Sequence, residues 1–320
     1  MTDQEMIRPE VTGQVMTFYH FVSIDPVKEQ ERLQVVCESL GLIGTLLIAE
    51  EGINGTLAGS AEAVTNLTKV FSDDPQFCDM KIKVSPSLAD KPVFYRLKVV
   101  IKDEIVAMGV TGVKPDRKTG DHVDVQTWNK LLDDPNVPVI DTRNHYEISI
   151  GTFPGSVNPE TESFREFPEY IKKNYDPEKT PRIAMCCTGG VRCEKASAYL
   201  LDQGFEAVYQ LEGGILKYFE SASEEDNRWQ GDCFVFDQRV SLDKNLRPGN
   251  FIQCHACRRA LSADQVKHAD YVKGVSCSLC IDEDKDRTGF IERQKQIELA
   301  AKRGEQHLGV GPKKASSRRS

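Results

Sequence analysis

Residues 182–195 read Arg-Ile-Ala-Met-Cys-Cys-Thr-Gly-Gly-Val-Arg-Cys-Glu-Lys, "RIAMCCTGGVRCEK". An apolar, strand-like run stops at a Gly-Gly turn, and the helix-like "EKASAYLLDQG" follows at once. On either side of this turn the pattern repeats. Upstream come helix "VQTWNKLLDD", strand "VPVIDTR", a loop through "GTFPGSVNP" and helix "FREFPEYIKKNY"; downstream come strand "AVYQLEG" and helix "GILKYFE". Strands alternating with helices over residues 123–225 predict a parallel α/β sheet covered on both faces. Catalytic groups in such folds sit where strands end. Two loops therefore matter: the one after "VPVI", with Asp141 and Arg143, and the one after "RIAMC".

Residues 15–110 have a different rhythm. Strand "VMTFYHFVSI", helix "PVKEQERLQVVCESLG", strand "GTLLIAEEGINGTLAG", helix "AEAVTNLTKVFS", and strands "MKIKVSPS" and "LKVVIKDEIVAMG" place two helices among four strands, the pattern of a ferredoxin-like α+β domain. Residues 1–14 are an N-terminal extension and residues 111–122 a polar linker. Residues 226–305 form a small C-terminal segment with two C-x-x-C motifs, and residues 306–320, ending in "GPKKASSRRS", are too polar and basic to pack.

The chain has 320 residues, a formal net charge of -8 and ten cysteines. No apolar run is long enough to span a bilayer and the start carries no signal-peptide core, so reduced thiols or metal ligands in the cytoplasm, away from membranes, are expected. The acidic balance argues against non-specific coating of nucleic acid but leaves room for a local basic face.

A thiol attacks only as a thiolate, which needs positive potential to form near neutral pH. Gly189 and Gly190 can turn backbone amides inward, the following helix adds its N-terminal dipole, and Arg192 adds a permanent charge. Two registers are open. Counted from Cys186 the loop reads C-x-x-G-x-x-R, as in cysteine-based phosphatases, whose larger loop holds phosphate. Counted from Cys187 it reads C-x4-R, the shorter sulfur-handling pattern of rhodaneses. Cys186 continues the apolar strand and Cys187 is the first turn residue, which favours Cys187. Met185 and Cys193 also stand where the phosphatase signature has histidine and serine or threonine.

Here the sequence becomes recognisable. "VIDTRNHYEISIGTFPGSVNP", "CCTGGVRCEKASAYL" and "VYQLEGGILKY" closely resemble the rhodanese-homology domain. Together with "FYHFVSI", "GTLLIAEEGINGTLAGS", "FREFPEY", the paired C-x-x-C motifs and "ERQKQIELAAKRGEQHLG", the chain resembles the bacterial rhodanese-like tRNA uridine hydroxylases. The resemblance implies conversion of the wobble uridine in a tRNA anticodon loop to 5-hydroxyuridine, with molecular oxygen as co-substrate. It makes Cys187 the active cysteine, a persulfide carrier in a rhodanese, with Arg192 closing a loop of Thr188, Gly189, Gly190 and Val191. It makes Asp141 and Arg143 a structural ion pair, with Glu147 a bracing carboxylate. Cys193 is either a thiol that resolves an oxidised Cys187 or a helix-terminal bystander.

"CHACRRALSADQVKHADYVKGVSCSLC" offers Cys254, Cys257, Cys277 and Cys280 at zinc-site spacing, which four thiolates would close as a structural zinc site with His255 outside the shell. No G-x-G-x-x-G opens a strand-to-helix turn, and His122 with Asp124 makes only two thirds of an iron facial triad. For RNA, Lys81, Lys83, Arg96 and Lys98, with Phe94 and Tyr95, combine phosphate contacts with stacking rings, and i, i+2 spacing lets the basic residues share one strand face. Two other function classes share the loop: a sulfurtransferase working through a Cys187 persulfide, and a regulatory module that only binds anions.

Overall fold

The computed structural model describes residues 13–87, 93–284 and 286–302, and divides after Gly249 into two units. The N-terminal extension up to residue 12 and the basic tail 306–320 lie outside the described residues.

The first unit opens with β1 (Gly13–Phe21), α1 (Pro26–Ser39), β2 (Ile43–Ala49), β3 (Gly52–Gly59), α2 (Ala61–Ser72), β4 (Lys81–Ser87) and β5 (Leu97–Ile101). Strand order is β4-β1-β3-β2-β5, with only the β2–β5 pair parallel. This is the βαββαβ ferredoxin-like arrangement with one added edge strand. Both helices start where the sequence provides a cap: Asp25 accepts from the amides of Val27 and Lys28 with Pro26 in the first turn, and Ser60 accepts from the Ala63 amide. Met16, Phe18, Leu46 and Leu57 bury one sheet face against Leu33, Cys37, Leu67 and Phe71. The opposite face carries Lys98, Thr45, Thr56, Thr17 and Lys83 as one row across all five strands.

Next come β6 (Asp121–Val123), α3 (Val125–Asp133), β7 (Val139–Asp141), α4 (His145–Ile148), β8 (Gly151–Thr152), α5 (Phe167–Asn174), β9 (Arg182–Cys186), α6 (Val191–Asp202), β10 (Ala207–Leu211) and α7 (Gly214–Ser221). The sheet β6-β10-β9-β7 is parallel throughout. Alternate residues of β9 face opposite layers: Ile183 and Met185 pack with Phe167, Ile171, Ala196 and Leu200, whereas Ala184 and Cys186 pack with Trp128, Ile215 and Tyr218. An apolar run rather than an alternating one is what a sheet buried on both faces requires.

Three sequence expectations change. "GTLLIAEEGINGTLAG" is not one strand but the hairpin β2–β3, paired Ala49 to Gly52 around Glu50-Glu51. The end of the expected linker is β6, which pairs with β10, and the Gly120 amide donates to Ser197 Oγ at 2.8 Å. The first part of the expected C-terminal segment belongs to the first unit. There Gln230–Gly231 pairs with β8, and Cys233–Phe234 pairs with Ser241–Leu242.

The second unit, from Asn250, pairs Ile252–Gln253 with Ala260–Leu261 and continues through the helices Ala263–Lys267 and Thr288–Lys302. No helix among the described residues is long and apolar enough to cross a membrane.

Candidate active site

The β9 strand ends at Cys186, buried in the sheet, and Cys187 opens the loop to α6. The loop rests on the N-terminus of α7: the Ile215 amide donates to the Cys187 carbonyl at 2.9 Å and the Leu216 amide to the Thr188 carbonyl at 3.1 Å. Gly214 permits this approach, because a β-carbon there would lie 2.5 Å from the Cys187 carbonyl oxygen. Gly190 caps α6 at φ 105°, a left-handed conformation that favours glycine, and its amide donates to Cys187 Sγ at 3.1 Å. Val191 begins the helix.

Burial by itself pushes the Cys187 thiol up. It is outweighed by donation from the Cys193 thiol, the Arg192 charge and the amides of Cys193 and Gly190, which bring Cys187 down to about 6. The net direction favours the Cys187 thiolate near neutral pH. Cys193 moves well up, through its own burial and its bond to the Cys187 sulfur, and stays the proton-bearing partner. Cys186 is also pushed well up by burial. The two registers of the loop therefore differ in chemistry: Cys187 is placed to ionise and Cys186 to keep its proton.

The braces are ion pairs. Arg192 meets Glu147 through two bonds of 2.7 Å, and Glu147 also accepts from the Asn144 amide. Arg143 and Asp141 form a fully buried pair at 2.6 Å, while Arg143 donates to the Gly151 carbonyl and stacks over Trp229 at 5.0 Å. Thr142, between them, donates through its amide and hydroxyl to the Cys186 carbonyl, tying this loop to the end of β9.

Cys187, Thr188, Gly189, Val191 and Arg192 line a cavity of about 530 Å³. Its other walls are Thr17, Tyr19, Asn54 and Thr56 from the ferredoxin-like sheet, the segment Lys102–Ala107, Phe164 with Arg165, and Val235–Asp237 with Arg239. Several residues on or behind these walls were not legible as site residues. Tyr19 donates to Glu194 Oε1 at 3.1 Å, and Glu194 also takes His122 Nε2 at 2.9 Å. Lys195 is buried between Glu51 at 2.7 Å and Glu104 at 2.6 Å. Phe236, 62% exposed, stands 6.0 Å from the Arg192 guanidinium. Isolated Tyr, Glu and Lys residues far apart in sequence gave no pattern; the signal would have been "EKASAYL", an amphipathic break with two charges in the first turn of a core helix.

Of the four basic RNA candidates, Lys81, Lys83 and Lys98 share a sheet face and Arg96 lies in the bend before β5, but the four do not gather. Lys81 and Lys83 are on β4 and Arg96 and Lys98 lie at β5, the two opposite edges, about 19 Å apart at ~4.8 Å per strand spacing. Lys81 pairs with Glu212 at 3.6 Å, and Lys83 turns into the active-site loop. His122 and Asp124 make no iron site, since His122 bonds Glu194 and Asp124 caps α3 by accepting from the Thr127 amide.

In the second unit, Cys254, Cys257, Cys277 and Cys280 bring their sulfurs within 4.8 Å of one another, a cluster compatible with zinc. Sulfur separations of 3.8 Å for Cys257–Cys277 and 3.6 Å for Cys277–Cys280 match the edge of about 3.8 Å that Zn–S bonds of ~2.3 Å impose on a tetrahedron. His255 is not part of the cluster.

A parallel α/β sheet that presents a cysteine thiolate in a C-x4-R loop defines a rhodanese-type cysteine protein, and residues 124–221 match the rhodanese-like domain. Residues 13–105 match the UPF0176 acylphosphatase-like domain, so the chain carries the domain pairing of the UPF0176 family. Among solved structures, a rhodanese-like domain from Anabaena sp. is 16% identical, with 35% of this chain and 80% of that chain covered and a TM-score of 0.29. A rhodanese-related protein from Thermoplasma volcanium is 22% identical, covering 31% and 91%, with a TM-score of 0.25. The BLUF protein BlrP1 is 21% identical, covering 29% and 66%, with a TM-score of 0.26.

Proposed function

We propose that the protein is a tRNA uridine hydroxylase that oxidises the wobble base to 5-hydroxyuridine at Cys187. The observation that carries this reading is the Cys187 thiolate on the wall of a cavity whose facing wall is the ferredoxin-like sheet. Sulfur transfer to a small thiol needs only the rhodanese loop. A second domain that encloses it suits a larger substrate, and a flipped base is of the size such a cavity admits. Phe236 offers an exposed ring for stacking, while Lys102 and Arg165, both exposed on the cavity wall, can meet phosphates. The net reaction places one oxygen atom of O2 on carbon 5 and releases the other as water, with two electrons and two protons from an external reductant. The protein's share is to bind and orient the base and to keep the thiolate dry. The Cys254, Cys257, Cys277 and Cys280 cluster is proposed to hold one structural zinc.

Nucleoside mass spectrometry of tRNA from cells with and without the gene tests the reading. Loss of 5-hydroxyuridine in the deletion supports it, and unchanged 5-hydroxyuridine defeats it. The amide-cradled thiolate also favours a second reading, sulfur transfer through a Cys187 persulfide, for which a thiolated nucleoside would disappear instead.

A further inference from the structure

We propose that Lys83 is a positioning residue for the reactive thiol, reaching from β4 of the ferredoxin-like domain to fix the peptide whose amide holds the Cys187 sulfur. Lys83 Nζ donates to the Gly189 carbonyl at 2.8 Å and to the Gly213 carbonyl. The Gly189 carbonyl and the Gly190 N–H belong to one planar trans peptide, so they point in opposite directions. Holding the oxygen on the Lys83 side aims the N–H at Cys187 Sγ, the 3.1 Å contact. The neighbouring carbonyls are pinned within the rhodanese-like domain: Cys187 by Ile215, Thr188 by Leu216 and Gly190 by Glu194. The Gly189 carbonyl takes its donor from the other domain. Flanked by two glycines, this peptide can rotate with little steric penalty. Turned over, it would present its oxygen, rather than its N–H, to a thiolate.

The ammonium acts through charge as well as geometry. Burial brings Lys83 down to about 8, against the pull of the Cys187 thiolate, so the cation persists at neutral pH. The other groups that act on Lys83 are Lys81 on its own strand and Glu220 and Lys217 on α7. Those around Cys187 are Arg192 and Cys193 of α6, Cys186 of β9 and Tyr19 of β1.

The inference rests on Cys187 being the reactive thiol and not on tRNA as substrate, so unaltered tRNA in a deletion strain would leave it standing. The test is iodoacetamide alkylation of the full chain across pH, with modification of Cys187 followed by peptide mass spectrometry. Lys83→Met should raise the pH midpoint by about one unit, making alkylation about tenfold slower below pH 6, and Lys83→Arg should recover most of the shift. An unchanged midpoint in a Lys83→Met protein with a native circular dichroism spectrum overturns the assignment. Should the methionine variant not fold, Lys83→Gln, neutral and too short to reach both carbonyls, must also raise the midpoint, and no rise there overturns it equally.

Discussion

Burial alone makes a thiol a weaker acid, and Cys37, buried in the ferredoxin-like core, is pushed up to about 11 for that reason alone. Cys187 is as dry yet moves the other way, because amides, a neighbouring thiol and Arg192 compensate its charge. Its alkylation rate should therefore rise with a midpoint near pH 6 and level off about one to two units higher, while Cys37 and Cys186 stay unreactive in the folded protein; peptide mapping after a pulse of reagent checks this. The same shift feeds back on stability. A thiol at about 6 in the fold and near 9 in the unfolded chain contributes stability that is complete above pH 9 and is lost as pH falls through 6. Cys187→Ser should flatten that part of the pH–stability profile in denaturant titrations and abolish the proposed hydroxylation, whereas Cys186→Ala should keep most of that activity and cost about 1–2 kcal/mol. The choice between the adjacent cysteines was legible because strand and turn positions differ in the sequence pattern. The donors that make the thiolate were not, since Cys193 reads equally well as a core residue and Lys83 lies 106 positions from Gly189.

Elements fail or succeed as predictors for local reasons. The β2–β3 hairpin went unread because its turn is Glu50-Glu51, while the Asn54-Gly55 pair, a strong turn signal elsewhere, lies inside β3. Gly55 is there for space: a β-carbon would sit 2.7 Å from the Phe18 ring and 3.0 Å from Leu46. Gly55→Val, favourable by strand propensity, should instead destabilise by about 2 kcal/mol, measured by urea unfolding. α4 was too short to show periodicity, yet it delivers Glu147 to the start of α6. Glu147→Gln leaves the buried Arg192 without its counter-charge and should cost about 3 kcal/mol; the same denaturation experiment reads it.

For the molecule as a whole, the order of domains was legible from the switch in strand–helix rhythm, but their boundaries were not, because Asp121–Val123 and residues 230–249 carry too few apolar positions to announce a sheet partner. The cysteine spacing announced the four-sulfur cluster, and the zinc proposed there makes a direct claim on composition. Protein purified without chelator should hold about one zinc per chain by elemental analysis, and Cys277→Ser should release it and lower the thermal midpoint. Neutralising Lys102 and Arg165 together should weaken tRNA binding and flatten its salt dependence, measured by titration at several ionic strengths. The buried Lys195 between Glu51 and Glu104 also has a history written into the order of synthesis. Both carboxylates leave the ribosome before Lys195, Glu104 by 91 residues, a lead of roughly 5–20 s at ordinary elongation rates. The backbone donors of these acids also precede the lysine: the Ile105 amide for Glu51, and the Met108 and Gly109 amides for Glu104. Translation thus presents both acceptors before the one donor that bridges them.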